Sequence, residues 1–110
     1  MIVIDRRDAR PISLRQASTL LQAVAHPIRL QILDALRAEP ATVGSVVDRL
    51  GLEQPVVSRH LGVLRRGAIV SVRPEGRERV YAIGDPRVRQ ILDVLFVPDP
   101  NPNPNLGQAA

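Results

Sequence analysis

Arginine side chains are concentrated in one part of this 110-residue chain, and they set the chemistry that the sequence can offer. The segment from Gln54 to Arg79 contains six arginines and two glutamates. Its excess of four positive charges equals the formal net charge of the whole chain. The six are Arg59, Arg65, Arg66, Arg73, Arg77 and Arg79. Guanidinium groups bind phosphate oxygens and the O6/N7 edge of guanine, so this stretch has the composition of a duplex-DNA contact surface. A solvated basic face is the competing interpretation.

Two short helices joined by a tight turn are predicted to carry the first of these arginines. In the first helix, apolar residues recur with the spacing of a helix that buries one face. They are Val43, Val46, Val47 and Leu50. Thr42 occupies the N-cap position, Gly51 can end the helix at positive φ, and Pro55 fits the first turn of the second helix. This pattern predicts a helix-turn-helix.

The second helix, about residues 54–67, is interpreted as a recognition helix for the major groove of DNA. Its inner face is predicted to hold Val57, Leu61 and Leu64. Arg59 can bind a phosphate or a guanine edge, and the small and hydroxyl-bearing residues beside it allow a close approach to the groove. The residues predicted to contact DNA in and before this helix are Thr42, Gln54, Pro55, Ser58, Arg59, His60, Gly62, Arg65 and Arg66.

A β-hairpin with a basic tip is predicted directly after this helix. Residues 69–73 and 78–83 are short β-prone runs, and residues 74–77 between them (Pro-Glu-Gly-Arg) have the composition of a turn. The hairpin places Arg73, Arg77 and Arg79 at or near its tip, where they are expected to clamp phosphates or enter a minor groove. The fold class predicted is therefore mainly α with a small β-hairpin, a winged helix-turn-helix of about five helices and a two-stranded wing.

Two further amphipathic helices flank this core and predict a homodimer. The stripe of the N-terminal helix consists of Leu14, Ala17, Leu21 and Val24, and that of the C-terminal helix consists of Val88, Ile91, Leu92 and Leu95. A domain of this size buries little apolar surface alone and gains from association. The alternative is that both stripes only complete the core of a single copy.

The chain is predicted to contain one domain, residues 13–96, between an N-terminal arm (1–12) and a disordered tail rich in proline and asparagine (97–110). No apolar run approaches the length of about 20 residues that spans a bilayer, and the N-terminus lacks a signal-peptide core, so a cytoplasmic protein is expected. The serines and histidines form no grouping of nucleophile and base, and we therefore expect no enzymatic activity.

The stretch from Leu20 to Ile83 resembles the ArsR/SmtB family of winged-helix transcriptional regulators. The likeness is carried by AVAHPIRLQILDAL (23–36), SRHLGVLRRGAIV (58–70) and RPEGRERVYAI (73–83). One departure is the order Gly67-Ala68, where family members more often have Ala-Gly, so the recognition helix is expected to end a residue early. The resemblance implies a homodimer that binds double-stranded operator DNA, usually a repressor that a metal or another signal releases.

The signal is not identified by the sequence. Metal-sensing members of the family have Cys-x-Cys at positions that match Thr42 and Gly44, or Asp and His ligands along the last helix. This chain has no cysteine, and its last helix offers Asp85 and Asp93 without a histidine. Weak metal candidates are His26, Asp5 and Asp8, although a capping role is the preferred interpretation of His26. Three hypotheses stay open: a divalent metal held by oxygen and nitrogen ligands, a non-metal effector, or a partner protein that carries the sensing.

The main alternative function is a winged helix that docks an acidic protein partner through its basic face. Such a module would show no preference among duplex sequences, so competition with different DNA duplexes separates the two hypotheses. Binding to single-stranded nucleic acid is disfavoured, because Tyr81 and Phe96 are the only aromatic residues available for base stacking.

Overall fold

In a computed structural model, the structure describes residues 11–97 as five α-helices and a small antiparallel sheet. The elements in chain order are α1 (Leu14–Val24), α2 (Pro27–Ala38), β1 (Ala41–Thr42), α3 (Val43–Leu50), α4 (Gln54–Arg66), β2 (Val70–Glu75), β3 (Glu78–Ile83) and α5 (Pro86–Phe96). The winged helix-turn-helix predicted from the sequence is confirmed. Between residues 11 and 97, no helix has the length and apolar character needed to cross a lipid bilayer.

Local sequence signals fix the ends of the helix-turn-helix, α3 and α4. The Thr42 hydroxyl accepts a hydrogen bond from the backbone N–H of Ser45 at 3.1 Å, as an N-cap residue does. Gly51 ends α3 at φ 65°, a conformation that costs glycine little because it lacks a Cβ. Pro55 lies in the first turn of α4, where its missing N–H leaves no hydrogen bond unmade. All three predicted roles are confirmed.

The core is built where α2, α3 and α4 meet, and the sheet and α5 close it. Val57, Leu61 and Leu64 of α4 are fully buried, which confirms the predicted inner face of that helix. Fully buried side chains outside α4 are Ile32, Leu33, Leu36, Val46, Ile69, Val88 and Leu92. Burial of these side chains fixes the orientation of α4 about its own axis, and with it the side chains that α4 presents to solvent.

The sheet has three strands in the order β1-β3-β2, one more than the two-stranded wing that was predicted. The additional strand is a two-residue segment in which Ala41 pairs with Tyr81 and Thr42 pairs with Val80. So short a strand carries no alternating pattern in the sequence, and it forms because α3 begins directly beside β3. The predicted turn is also shorter than expected: Pro74 and Glu75 belong to β2, and the connection is Gly76 and Arg77, with Gly76 at φ 64°.

Both predicted dimer stripes are divided between the core and the surface. Val24, Val88 and Leu92 are buried within a single copy of the chain, as the alternative of a completed monomer core describes. These three side chains have little surface to offer to a second copy. The other members of the stripes are at least partly exposed: Leu14, Ala17, Leu21, Ile91 and Leu95. The predicted arm and tail lie largely outside the described residues.

Candidate nucleic-acid interface

The outer face of α4 presents polar and basic side chains to solvent. The exposed residues on this helix include most of those predicted to contact DNA: Gln54, Pro55, Ser58, Arg59, Arg65 and Arg66. Gly62 is half-buried, and a Cβ added there would lie 3.4 Å from a terminal nitrogen of Arg66. The guanidinium of Arg66 therefore lies along the helix over Gly62, which keeps this part of the outer face narrow. A narrow basic helix face has the dimensions needed to enter a major groove.

Five arginines of α4 and the wing have side chains that form no hydrogen bond or ion pair with any other residue between 11 and 97. We call them the outer arginines: Arg59, Arg65, Arg66, Arg77 and Arg79. All five are exposed. An exposed guanidinium without a carboxylate partner keeps its five N–H donors for an external acceptor, and its charge is neutralised only by solvent ions. Phosphate groups are the acceptors that such a surface attracts most strongly.

The wing does not hold its three arginines as one cluster, which corrects the prediction. In the register of the hairpin, Arg73 lies opposite Val80 and Arg79 lies opposite Pro74. Because paired residues share a face and neighbouring residues alternate, Arg73 and Arg79 project from opposite faces of the sheet. Arg73 is also paired with Glu75 at 3.3 Å. Of the three wing arginines, two have unpaired guanidinium groups among the described residues: Arg77, in the connection, and Arg79, on the face that packs against the helices through Tyr81.

His60 faces the interior and offers little side-chain surface for the predicted contact with DNA. Its exposure is 5%, and it is the buried polar residue of the described chain. His60 follows Val57 by three residues and precedes Leu64 by four, and that spacing places it beside the apolar stripe of α4. Burial, together with the nearby charges of His26, Arg29 and Arg59, lowers the pKa of His60 below its ordinary value.

One residue of this region was not singled out from the sequence. Arg29 of α2 donates from Nε to Nδ1 of His60 at 3.2 Å and from a terminal nitrogen to the carbonyl oxygen of Ala23 at 3.1 Å. Arg29 and His60 are 31 positions apart, so no local pattern could have joined them. The two histidines are also close to each other, since the ring centroids of His26 and His60 lie 4.6 Å apart.

The side chains that the family resemblance would assign to a metal are engaged in other contacts. Asp85 caps α5 by accepting from the N–H of Arg87 at 2.8 Å, and Asp93 pairs with Arg37 at 3.4 Å. Nδ1 of His26 accepts from the N–H of Ile28 at 3.2 Å, which confirms the capping role. Residues 11–97 contain no group of three or more His, Cys, Asp or Glu placed to hold a metal ion. These donors do not fit a metal site; Asp5 and Asp8 lie outside the described residues.

Thr42, also predicted to contact DNA, is half-buried at the start of α3. Its oxygen already accepts the capping hydrogen bond from Ser45, which leaves the hydroxyl proton as its remaining donor. The N-terminus of α4 is different, because its N-cap residue Glu53 makes no side-chain capping bond. Val56 and Val57 donate to the carbonyl oxygen of Glu53 and Pro55 has no N–H, so in the first turn of α4 the N–H of Gln54 is left for solvent or an external acceptor.

Comparison with known proteins places the chain among transcriptional regulators. A family model described as a helix-turn-helix domain matches residues 24–73. The chain is 42% identical over 78 residues to the HTH-type transcriptional regulator NmtR of Mycobacterium tuberculosis, covering 71% of this chain and 65% of that relative. It is 31% identical over 91 residues to the biofilm growth-associated repressor of Agrobacterium fabrum, covering 83% of this chain and 78% of that protein. None of these descriptions names an enzyme.

A solved structure extends the likeness from sequence to fold. The homodimeric winged helix-turn-helix DNA-binding domain of Mb0332 from Mycobacterium bovis, described as a possible ArsR-family transcriptional regulator, superposes with a TM-score of 0.70. Its sequence is 29% identical, and the match covers 86% of this chain and 85% of that one.

Proposed function

The chain belongs to the ArsR/SmtB family of winged helix-turn-helix transcriptional regulators, and on that basis we propose that it binds double-stranded operator DNA as a homodimer. In this proposal, α4 enters the major groove and the wing contacts the backbone or the adjacent minor groove. Relatives that carry the word repressor in their names support repression as the mode of action. A regulator of this kind acts where its operator lies, so we expect it in the cytoplasm.

The observation that carries the proposal is the set of outer arginines on α4 and the wing. Because the core holds α4 in one orientation, Arg59, Arg65 and Arg66 all stay on the solvent side of that helix. Phosphate contacts from these groups supply affinity, and a bidentate contact from Arg59 to guanine supplies sequence preference. The alternative of a protein-docking module uses the same charges, but the relatives found by comparison are DNA-binding regulators and not interaction modules.

Dimerisation is proposed through the exposed parts of α1 and α5. Leu14 is 91% exposed, Leu21 is 51% exposed and Leu95 is 56% exposed, and several exposed apolar side chains on the two flanking helices are typical of an association surface. Val94 and Phe96 are further exposed apolar side chains at the end of α5. The homodimeric relative Mb0332 supports a second copy as the partner. A two-fold dimer would present its two α4 helices to half-sites one helical turn apart, or a multiple of it.

Sedimentation of a charged variant tests the dimer. We expect Leu21→Glu to dissociate the dimer at micromolar concentration, because it places a carboxylate in the proposed apolar interface. Gln22→Glu is the matched control, since it adds the same charge at the exposed neighbouring position of α1. A dimer that Leu21→Glu leaves intact would contradict the α1 interface, and equal dissociation in both variants would assign the effect to charge alone.

Control of DNA binding is proposed to come from a non-metal effector or a partner protein, in preference to a divalent metal. The occupied contacts of Asp85, Asp93 and His26 support this order, because each would have to be given up for coordination. A metal held by oxygen and nitrogen ligands, with Asp5 or Asp8 among them, is the hypothesis that a metal titration addresses. Thiolate ligation does not arise in a chain without cysteine.

Fluorescence anisotropy with DNA from the region upstream of the chain's own gene tests the function directly. The assay compares that duplex with a shuffled duplex at two salt concentrations, each with and without a panel of divalent metals. Preference for the upstream duplex and a steep loss of affinity with salt would support the proposal. Equal binding to both duplexes would favour the protein-docking alternative, and a shift caused by one metal would restore the metal hypothesis.

A further inference from the structure

Arg29 joins three helices at a point directly beneath the recognition surface. Its Nε donates to Nδ1 of His60 in α4, and a terminal nitrogen donates to the carbonyl oxygen of Ala23 in α1. Arg29 itself lies in the first turn of α2. The bonds therefore connect the helix proposed to form the dimer with the helix proposed to enter DNA. In the sequence, Arg29 belongs to the motif HPIRL and His60 to the motif SRHL. The hydrogen bond between Arg29 and His60 shows that the two motifs meet in the structure.

The contact defines the protonation state of His60. A guanidinium is always a donor, so the Nδ1 atom that it contacts must be an unprotonated acceptor, and the proton of the neutral ring lies on Nε2. His26, whose ring lies against that of His60, likewise uses its Nδ1 as an acceptor, from the N–H of Ile28. Protonation of His60 at Nδ1 would leave two positively charged donors, Arg29 and His60, facing each other across the 3.2 Å contact. The hydrogen bond between them would be lost.

The surroundings of His60 oppose its protonation. Burial is the largest cause of the lowered pKa, followed by the charges of His26, Arg29 and Arg59. His26 and Arg29 face the ring from α2, and Arg59 is its neighbour on α4. Because the unfolded chain binds this proton more readily than the folded one, the contribution of His60 to folding is complete above its unfolded pKa of about 6.5. That contribution is lost as the pH falls from there through the lower folded pKa.

We propose, on the basis of the DNA-binding function proposed above, that Arg29 is a positioning residue for the recognition helix and that operator binding requires the Arg29–His60 contact with His60 neutral. His60 immediately follows Arg59 and lies two residues after Ser58, so the contact fixes the rotation and depth of the part of α4 that carries the groove-facing donors. Protonation of His60 breaks the contact, so operator affinity falls as the pH is lowered from 7.5 through the range in which His60 binds its proton.

Operator anisotropy across that pH range, with thermal unfolding measured at each pH, tests the proposal on the full chain. We expect wild-type affinity to fall by roughly fivefold or more, the lower end of typical coupling between sites. His60→Asn keeps an acceptor near the position of Nδ1 but cannot titrate, so it should lose this pH dependence. His26→Asn retains an N-cap and removes the only other histidine, so it should preserve the fall. Equal pH profiles for wild type and His60→Asn would overturn the proposal.

Arg29→Lys provides a second test that does not depend on changing the histidine. Lysine keeps the positive charge but has one terminal nitrogen, so it cannot bond His60 and the Ala23 carbonyl through the two arms that arginine uses. We expect operator affinity at pH 7.5 to drop by about fivefold or more while the variant remains folded. Wild-type affinity in Arg29→Lys would contradict the positioning role.

Imidazole ¹⁵N chemical shifts separate this proposal from the DNA-binding proposal. An unprotonated Nδ1 on His60 at pH 7.5 is expected in the absence of DNA, and a proton on Nδ1 would refute the contact whatever the chain binds. Absence of specific DNA binding by the wild-type protein at pH 7.5 would instead overturn the DNA-binding proposal, and with it the positioning role.

Discussion

Two sets of arginines in this protein use the same guanidinium group in opposite ways. On α2, α3 and α5, arginines hold elements of the fold together, and we call them the bridging arginines: Arg29, Arg37, Arg49 and Arg89. Arg49, for example, donates to the carbonyl oxygen of Ala35 and pairs with Glu39, which ties α3 to the end of α2. The outer arginines on α4 and the wing have no such partner among residues 11–97.

This difference shows that unpaired charge is a better indicator of a binding surface than charge alone. A bridging arginine has already exchanged hydration for contacts inside the chain, so it has few donors left for a ligand. An outer arginine retains its full donor set, and its position on a helix that the core immobilises reduces the entropy lost on binding. The net charge of the sequence identifies the region, but only the contacts identify which arginines are available.

The largest effect is expected from Arg59→Ala, which removes an outer arginine from the centre of α4. We predict a loss of operator affinity of about 1–3 kcal/mol, together with a relaxed preference for the base that Arg59 contacts. Titration of the variant against the operator and against duplexes with single base changes measures both effects. Operator affinity that stays at the wild-type level would remove Arg59 from the recognition surface.

Arg49→Ala is the charge-matched control for this change, because it removes a bridging arginine from the adjacent helix α3. Its ion pair is substantially exposed, so the expected loss of folding stability is only about 0.2–1 kcal/mol. Operator affinity should remain close to wild type. If the two alanine variants weakened DNA binding equally, net charge rather than position would explain the surface.

A smaller effect is expected in the wing, where Arg77 and Arg73 differ in their partners. Arg77→Ala should lower affinity for all duplexes and reduce the slope of log affinity against log salt by about 1, the contribution of one phosphate contact. Arg73→Ala should change the slope less, because Arg73 already pairs with Glu75. Anisotropy at four or more salt concentrations gives both slopes. Equal slopes for the two variants would mean that the Glu75 pair does not restrict Arg73.

Features with a short-range chemical cause could be predicted from the sequence. Thr42 and Gly51 bound α3 as expected, since a hydroxyl at the N-cap and a glycine at positive φ act within one turn of chain. The inner stripe of α4 followed from helical periodicity for the same reason. The outward position of Arg59 then required no further information, because it lies on the side of the helix opposite Leu61 and Leu64.

Features that depend on distant residues could not be predicted. Helical spacing places His60 at the edge of the apolar stripe, but its hydrogen-bond partner Arg29 is 31 positions away and no local pattern indicates it. The separation of Arg73 from Arg79 depends on the strand register, and a shift of one residue would have reversed it. Whether Val24 and Leu92 belonged to the core or to a dimer surface depended on how α1 and α5 close over the other helices.

The smallest predicted effect concerns the junction between the two DNA-facing elements and involves no charge. Ala68, between α4 and β2, has φ 58°, a left-handed conformation that costs a residue with a Cβ about 1–2 kcal/mol. Glycine avoids this cost, but it loses more conformational freedom on folding than alanine does, which costs about 0.5–1 kcal/mol. We therefore expect Ala68→Gly to raise the free energy of unfolding by roughly 0.5–1 kcal/mol. Urea unfolding at fixed protein concentration measures the gain.

Ala35→Gly, the same substitution inside α2, should instead lower the free energy of unfolding by about 1 kcal/mol. If both variants were more stable than the wild type, the positive φ at position 68 would not be the source of the stabilisation. The salt dependence of DNA binding should not change in Ala68→Gly, since every outer arginine is retained. A changed affinity at an unchanged salt slope would show that the junction sets the angle between α4 and the wing. The angle between α4 and the wing, as well as the unpaired charge, would then determine how tightly the outer arginines bind one duplex.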